Sequence, residues 1–145
     1  MITLHRELLG PAIALVLWTF VMWTWMYATR IPAITKAKMK LDANAVRGEQ
    51  MALLPPEVRR KADNYNHLFE QPTLFYPVAI MLALVSQNPG LDALIAWAFV
   101  LLRVMHSLWQ SLNNTIVVRF ALFALSSLVL MGLSVRCAIA VFASG

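Results

Sequence analysis

The chain has 145 residues, of which 60% are hydrophobic and 13% are charged, whereas a soluble domain carries roughly 45–50% apolar and about 25% charged residues. This length allows one domain, residues 1–145, and the composition excludes an ordinary water-soluble fold. The net charge of +5 suggests nucleic-acid binding in a soluble protein, but eight of the twelve basic residues fall in one polar segment, so we interpret the charge as a membrane-topology signal and expect no nucleic-acid partner.

The first predicted element is a membrane-spanning helix over residues 8–29, which contain no charged residue. A run of this length crosses a hydrocarbon core about 30 Å thick. A cleaved signal peptide is the alternative, but its apolar region has only about 7–15 residues and ends at a small-residue cleavage site. We therefore expect a retained helix that ends on the cytoplasmic side at Arg30.

The second predicted helix covers about residues 56–86 and follows the basic segment 30–67. Its start is indicated by Pro56, because proline fits the first turn of a helix. Pro72 or Pro77 is expected to bend it, since proline lacks the N–H group that the helical hydrogen bond requires.

Turn signals at 86–90 and 112–115 separate the remaining helices, which are expected over about 91–112 and 116–142. The whole pattern predicts an all-α integral membrane protein, a bundle of four transmembrane helices. The loop after the first helix holds eight Lys or Arg residues, whereas residues 86–92 hold none. The large loop is therefore expected to be cytoplasmic, with both termini on the opposite side.

Polar side chains occur in the cytoplasmic half of all four predicted helices. In the third helix, Arg103, His106, Gln110 and Asn113 are spaced by 3, 4 and 3 residues and form one stripe. An arginine at the centre of a membrane helix costs about 2.5–3.5 kcal/mol on insertion scales, so such groups should face the bundle interior or a wet cavity. The candidate site residues are Arg30, Asn66, Glu70, Arg103, His106 and Arg119.

These candidates include three arginines and one carboxylate, and a cationic pocket suits an anionic ligand. Glu70 and Arg119 are expected to line one cavity, with Arg103 and His106 along its wall. Asn66 and Glu70 are four residues apart and should share a helix face. An unpaired Glu70 in a low dielectric is costly, so we expect an arginine or a ligand amine beside it.

A purely structural interpretation stays open for each candidate. Arg30 can extend to the lipid headgroups, and Glu70 can form an interhelical ion pair. Arg136, near the non-cytoplasmic face of the membrane, has no polar neighbours and is predicted to be a lone interfacial anchor. The sequence has no metal-ligand spacing, Ser-His-Asp set or phosphate loop, and the lone Cys137 excludes an intrachain disulfide.

Three features together resemble a known family. They are the four helices with a long basic loop after the first, the segment NYNHLFEQPTLFYP in the second helix, and RVMHS in the third, with Arg119 16 residues after Arg103. The sequence is similar in these respects to the MAPEG family, the membrane-associated proteins of eicosanoid and glutathione metabolism. The spacing of the arginines resembles the microsomal prostaglandin E synthase branch, and the resemblance covers nearly the whole chain.

The resemblance implies a homotrimer in the lipid bilayer, with glutathione bound between neighbouring subunits. It implies a glutathione-dependent transferase or peroxidase acting on lipophilic electrophiles or lipid hydroperoxides. Arg119 would be the catalytic residue, because a cation beside a thiol lowers its pKa from about 8.5 by about 1–3 and the thiolate is the nucleophile. The implied glutathione-binding residues are Arg30, Asn66, Glu70, Arg103 and His106.

The sequence also departs from the family pattern. Tyr65 stands where well-studied members have an arginine, and Asn66 precedes Glu70 by four residues instead of three, with His67 in the other slot. Gln110 replaces a tyrosine of several members. These departures indicate a divergent member of a bacterial branch, expected as a multi-pass protein of the inner membrane. They also leave open the alternative of a non-catalytic membrane binding or scaffold protein on the same fold.

Overall fold

The computed structural model describes residues 4–46 and 48–143, and this part of the chain is helical without any strand. Four helical segments are long and apolar enough to cross a membrane, namely Arg6–Lys36, Pro56–Val85, Pro89–Leu112 and Ile116–Phe142. The prediction of an all-α protein with four spanning segments is confirmed. After a 3₁₀ turn at Arg6–Leu8, the helices in chain order are α1 (Leu9–Lys36), α2 (Glu49–Ala52), α3 (Pro56–His67), α4 (Pro72–Val85), α5 (Pro89–Leu112) and α6 (Ile116–Phe142).

Helix α1 continues to Lys36, so the prediction that Arg30 ends the first helix is wrong. The apolar run stops at residue 29, but a helix satisfies its own backbone hydrogen bonds and does not have to end where the hydrocarbon ends. Arg30 is therefore carried on a helical turn, partly exposed, with Pro32 inside the same helix.

The second spanning segment is two helices, because α3 ends at His67 and α4 begins at Pro72. In a continuous helix the ring of Pro72 would clash with the carbonyl of Leu68, and its missing N–H would leave that carbonyl without a partner. The chain therefore turns over residues 68–71. Pro77 lies inside α4 without ending it, so of the two prolines it is Pro72 that interrupts the helix.

The interior of the bundle is apolar around an aromatic contact between α4 and α5. The rings of Phe75 and Phe99 stack with centroids 4.6 Å apart, and both side chains are fully buried. Leu15 and Met22 of α1 lie in the same core. Since lipid is as apolar as leucine, close packing of this kind, rather than water exclusion, holds membrane helices together.

One end of the bundle gathers the N-terminal segment and the connection between α4 and α5. The backbone N–H of His5 donates to the carbonyl of Ala83 at 2.8 Å. At the same end, Arg136 of α6 forms an ion pair with Asp92, whose carboxylate also accepts a hydrogen bond from Ser86 Oγ at 2.6 Å.

The prediction that Arg136 is a lone anchor is therefore wrong. The sequence predicts a helix from about residue 91 but gives Asp92 no role, and in the structure Asp92 lies in the first turn of α5, almost completely buried. A buried carboxylate is costly unless it is paired, and Arg136 provides the pairing.

The opposite end contains α2, α3 and the connection between α5 and α6. Arg60 on α3 donates from Nη1 to the carbonyl of Leu112 at 3.2 Å. This bond satisfies one of the carbonyls that the end of a helix leaves without an internal partner. It also ties α3 to the end of α5, which is the region where the polar side chains converge.

Candidate functional site

The interruption between α3 and α4 provides a backbone acceptor for a buried arginine. Arg103 on α5 is fully buried, and its Nη2 donates to the carbonyl of His67 at 2.7 Å. In a continuous helix that carbonyl would accept from the N–H of residue 71. The guanidinium carbon lies 5.9 Å from the ring centroid of Phe123, within cation–π range.

The remaining guanidinium nitrogens of Arg103, Nε and Nη1, have no hydrogen-bond partner among the described residues. Arg103 also forms no ion pair with a carboxylate in that part of the chain. The Arg103 guanidinium thus lies inside the bundle next to His67, and its hydrogen bond to the His67 carbonyl supports the end of α3 from the interior.

Glu70 is paired with a histidine rather than with an arginine. The distance from His67 Nδ1 to Glu70 Oε2 is 2.8 Å, and the two side chains are 31% and 52% exposed. The expected neighbour of Glu70 was an arginine or a ligand amine; within the described residues no arginine forms an ion pair with it, and the ligand amine stays a prediction. The expectation that Asn66 and Glu70 share a helix face is wrong, because α3 ends between them.

Glu70 and Arg119 nevertheless line one cavity, which has a volume of about 310 Å³. Helix α3 and the turn after it contribute one wall, and α5 and α6 contribute the other. The two residues that were expected to share a cavity therefore do so within one chain. The full lining of this central cavity is Asp63, Asn66, His67, Glu70, Gln110 and Arg119.

A second cavity of about 210 Å³ lies on the apolar side of Arg119. His106 lines this cavity. The residue is 2% exposed, and its Nδ1 has no hydrogen-bond partner among the described residues. This inner cavity is lined by His67, His106, Ile116, Arg119, Phe120 and Phe123. Arg103 lines neither the central nor the inner cavity, in contrast to its expected position along the wall.

A third cavity of about 260 Å³ extends from the central cavity to α1 and α2. Asp63 and Asn66 line both cavities. This outer cavity is lined by Arg30, Gly48, Met51, Ala52, Arg59, Ala62, Asp63 and Asn66. The central cavity shares lining residues with the outer cavity on one side and with the inner cavity on the other. We refer to the three cavities together as the polar groove.

Arg119 is held at the middle of the polar groove by the connection between α5 and α6. It lies in the first turn of α6, and its Nη1 donates to Asn114 Oδ1 at 2.6 Å. Asn114 has a left-handed backbone with φ of 56°, a conformation that asparagine tolerates better than most residues. The guanidinium is thus fixed by a local turn.

Three charged or titratable residues of the polar groove were not among the sequence candidates, namely Arg59 in the outer cavity, Asp63 and His67. Asp63 lines its outer and central cavities, and His67 lines its central and inner cavities. His67 was noted only as a departure from the family pattern. Its spacing of three residues from Glu70 was the available signal, because residues three apart are neighbours on a helical turn.

An apolar pocket of about 300 Å³ lies between α1 and the α3–α4 turn. Tyr65 lines this pocket and stacks edge-on against Phe69 at 5.0 Å between centroids. Its lining is Val16, Thr19, Phe20, Trp23, Tyr65, Leu68, Phe69 and Tyr76. Neighbouring residues of α3 therefore serve two sites, with Tyr65 in the apolar pocket and Asn66 in the polar groove.

The chain matches a known protein family over most of its length. The model of the MAPEG family matches residues 8–139, a range that contains all of the polar-groove residues. No curated protein and no solved structure matches the chain significantly.

Proposed function

The chain belongs to the MAPEG family, and from that premise we propose that it is a glutathione-dependent transferase or peroxidase for lipophilic electrophiles or lipid hydroperoxides. Members of the family include enzymes of both kinds. The observation that carries the proposal is the position of Arg119, which lines a polar cavity on one side and an apolar cavity on the other. A polar thiol and a lipophilic acceptor can meet at such a boundary.

The charges of the polar groove suit glutathione. This tripeptide carries two carboxylates, one ammonium group and one thiol. Arg30 and Arg59 in the outer cavity are suited to bind carboxylates, since guanidinium groups form bidentate hydrogen bonds with them. Asp63 and Glu70 are suited to the ammonium group. Both signs of charge are therefore present in the proposed site.

Arg119 is the residue that we expect to stabilise the glutathione thiolate. Arginine does not lose its proton at working pH, so it acts as a fixed positive charge. An adjacent cation favours the ionised form of a thiol, and the thiolate is the attacking species. The hydrogen bond to Asn114 would hold the guanidinium in position before the thiol arrives.

The inner cavity supports a lipophilic second substrate. Ile116, Phe120 and Phe123 line it next to Arg119, and α6 belongs to a candidate membrane span. An apolar molecule dissolved in the bilayer would meet these side chains before it met the polar groove.

We propose that the working assembly is a homotrimer. Asn66 and Glu70 are exposed in the single chain, although both line the proposed binding groove, and Val117 and Phe120 present an exposed apolar face beside Arg119. A neighbouring subunit would cover both features. Native mass spectrometry from detergent should give three chains per particle, and a stable folded monomer would contradict the proposal.

The proposed activity is tested by titrating glutathione into the purified protein and measuring the ultraviolet absorbance of the thiolate. The wild type should bind and develop the thiolate signal, and Arg119→Ala should lose that signal. Arg6→Ala is the matched control, because Arg6 is an exposed arginine at the opposite end of the bundle. Absence of binding by the wild type at millimolar glutathione would refute the proposal.

A non-catalytic binding or scaffold protein is the second candidate. It is favoured by Gln110, which occupies the central cavity where several family members carry a tyrosine. This candidate predicts that the groove binds glutathione without developing a thiolate signal and without turnover of any electrophile.

A further inference from the structure

Two residues, His67 and Arg119, line both the central and the inner cavities. A molecule that occupied both cavities would therefore contact His67 and Arg119. Arg119 provides a fixed positive charge there. His67 provides an imidazole, which can accept a proton or donate one.

The imidazole of His67 has a carboxylate partner, and the backbone of the same residue is held separately. Its Nδ1 lies 2.8 Å from Glu70 Oε2, and its backbone carbonyl is held by Arg103. A carboxylate that accepts a hydrogen bond from Nδ1 fixes the tautomer, so that Nε2 carries the lone pair, and it stabilises the imidazolium that forms when Nε2 is protonated. This is the arrangement that a general base requires.

His106 is the nearest competitor, because its ring centroid is 6.0 Å from that of His67. It lacks the features of a base at this site. Its side chain is almost completely buried, it forms no ion pair with a carboxylate in the described residues, and it lines the inner cavity but not the central one. His67 is 31% exposed and has the carboxylate partner.

We propose that His67, oriented by Glu70, is the catalytic base that accepts the thiol proton of glutathione at this site. The inference rests on the proposed function and adds a residue to it. His67 Nε2 takes the proton, so that the S–H bond breaks, an N–H bond forms and the sulfur keeps the electron pair. When that pair attacks an electrophilic carbon, the imidazolium returns the proton to the atom of the electrophile that receives the displaced electrons.

The charges around His67 suit the transfer of a proton from the thiol to the imidazole. The imidazolium would be next to Glu70, and the thiolate would be next to Arg119, so each new charge has a partner of opposite sign. The charged and titratable groups that face His67 from the elements packed against it are Asp63, Glu70, Arg103, His106 and Arg119.

The test counts the protons that glutathione binding releases. Calorimetric titration in two buffers of different ionisation enthalpy gives that number, and ultraviolet absorbance gives the amount of thiolate, both without an electrophile. In the wild type the thiolate should form with much less than one proton released, because His67 keeps it. In His67→Asn, the thiolate should either fail to form or form with about one proton released to the buffer.

His5→Asn is the matched control. His5 also pairs with a carboxylate, since its Nδ1 lies 3.7 Å from Glu7 Oε1, but the pair is at the opposite end of the bundle. Proton release and thiolate formation should be those of the wild type. If His67→Asn does not fold, His67→Gln serves in its place.

Activity gives an independent measurement once an electrophile is found. His67→Ala should lower the conjugation rate by about 100-fold or more, and added imidazole should restore part of the rate, whereas Arg119→Ala should not respond to imidazole. Thiolate formation with one full proton released, the same in the wild type and in His67→Asn, would overturn the role of His67 alone. Absence of glutathione binding by the wild type would overturn the proposed function and this inference together.

Discussion

Arg119 and Asn114 are joined by a hydrogen bond of 2.6 Å across the connection between α5 and α6. Asn114 is also the residue whose left-handed backbone turns the chain at that point. One side chain therefore couples the turn to the position of the guanidinium in the polar groove.

Replacing Asn114 by glycine should separate these two roles. Glycine adopts a positive φ without strain, so the turn should persist while the hydrogen bond is lost. A hydrogen bond to a charged group contributes about 1.5–3 kcal/mol, and we expect thiolate formation in Asn114→Gly to weaken roughly tenfold or more. The thiolate absorbance at saturating glutathione measures this, with the adjacent Asn113→Ala as control. An unchanged signal in Asn114→Gly would show that Arg119 needs no support from the turn.

Arg136→Met should strongly destabilise the protein. It would leave the carboxylate of Asp92, which is 2% exposed, buried without its ion-pair partner, and the loss of one partner from a buried pair costs about 3–5 kcal/mol. Asp92→Asn should cost less, because the amide oxygen can still accept from Ser86 and the partly exposed Arg136 can reach water. Thermal unfolding in detergent measures both, with exposed Lys36→Met as control. Equal melting temperatures for Arg136→Met and the wild type would contradict this account.

Glu70→Gln should have a small effect on stability and a large one on function. The side chain of Glu70 is 52% exposed beside His67, and exposed ion pairs contribute about 0–1 kcal/mol. This revises the sequence-based expectation of a costly buried charge. The melting temperature should change little, whereas glutathione binding should weaken. A destabilisation as large as that of Arg136→Met would indicate that Glu70 becomes buried when subunits assemble.

The orientation in the membrane remains a prediction, with both termini outside and residues 31–60 in the cytoplasm. The structure places the N-terminal segment and the end of α4 at one end of the bundle through the His5–Ala83 bond. Reporters fused near Gly48 and at Gly145, which lies outside the described residues, should report opposite compartments. Activity of both reporters on one side would require a different number of membrane crossings.

The spanning helices were predictable because each carries its own signal. Lipid solvation requires long apolar runs, and turn residues mark the connections, so α6 begins and ends where the sequence analysis expected. The end of α1 was mispredicted because the apolar run stops before the charged Arg30, whereas the helix continues to Lys36. Charge marks the edge of the hydrocarbon, and a helix can extend beyond that edge.

Side-chain pairing was less predictable than helix position. The ion pair between Asp92 and Arg136 joins residues 44 positions apart, and no local pattern indicates such a contact. Glu70 pairs with His67 across the turn after α3, and the spacing of three residues was the one signal for this contact, whereas the expected helix face shared with Asn66 was lost because α3 ends at His67. The predicted position of Glu70 and Arg119 in the same half of the bilayer was nevertheless sufficient to predict that they line one cavity.

The interruption before Pro72 has a consequence for how the sequence can change. The buried Arg103 is tolerated in the bundle because the interrupted helix leaves the carbonyl of His67 available as its hydrogen-bond acceptor. The helix is interrupted, in turn, because Pro72 follows His67 by five residues. A substitution that restored a continuous helix would withdraw that acceptor, so the two positions should not vary independently. Loss of Pro72 should be better tolerated once Arg103 has become apolar, and combined substitutions at the two positions should deviate from additivity.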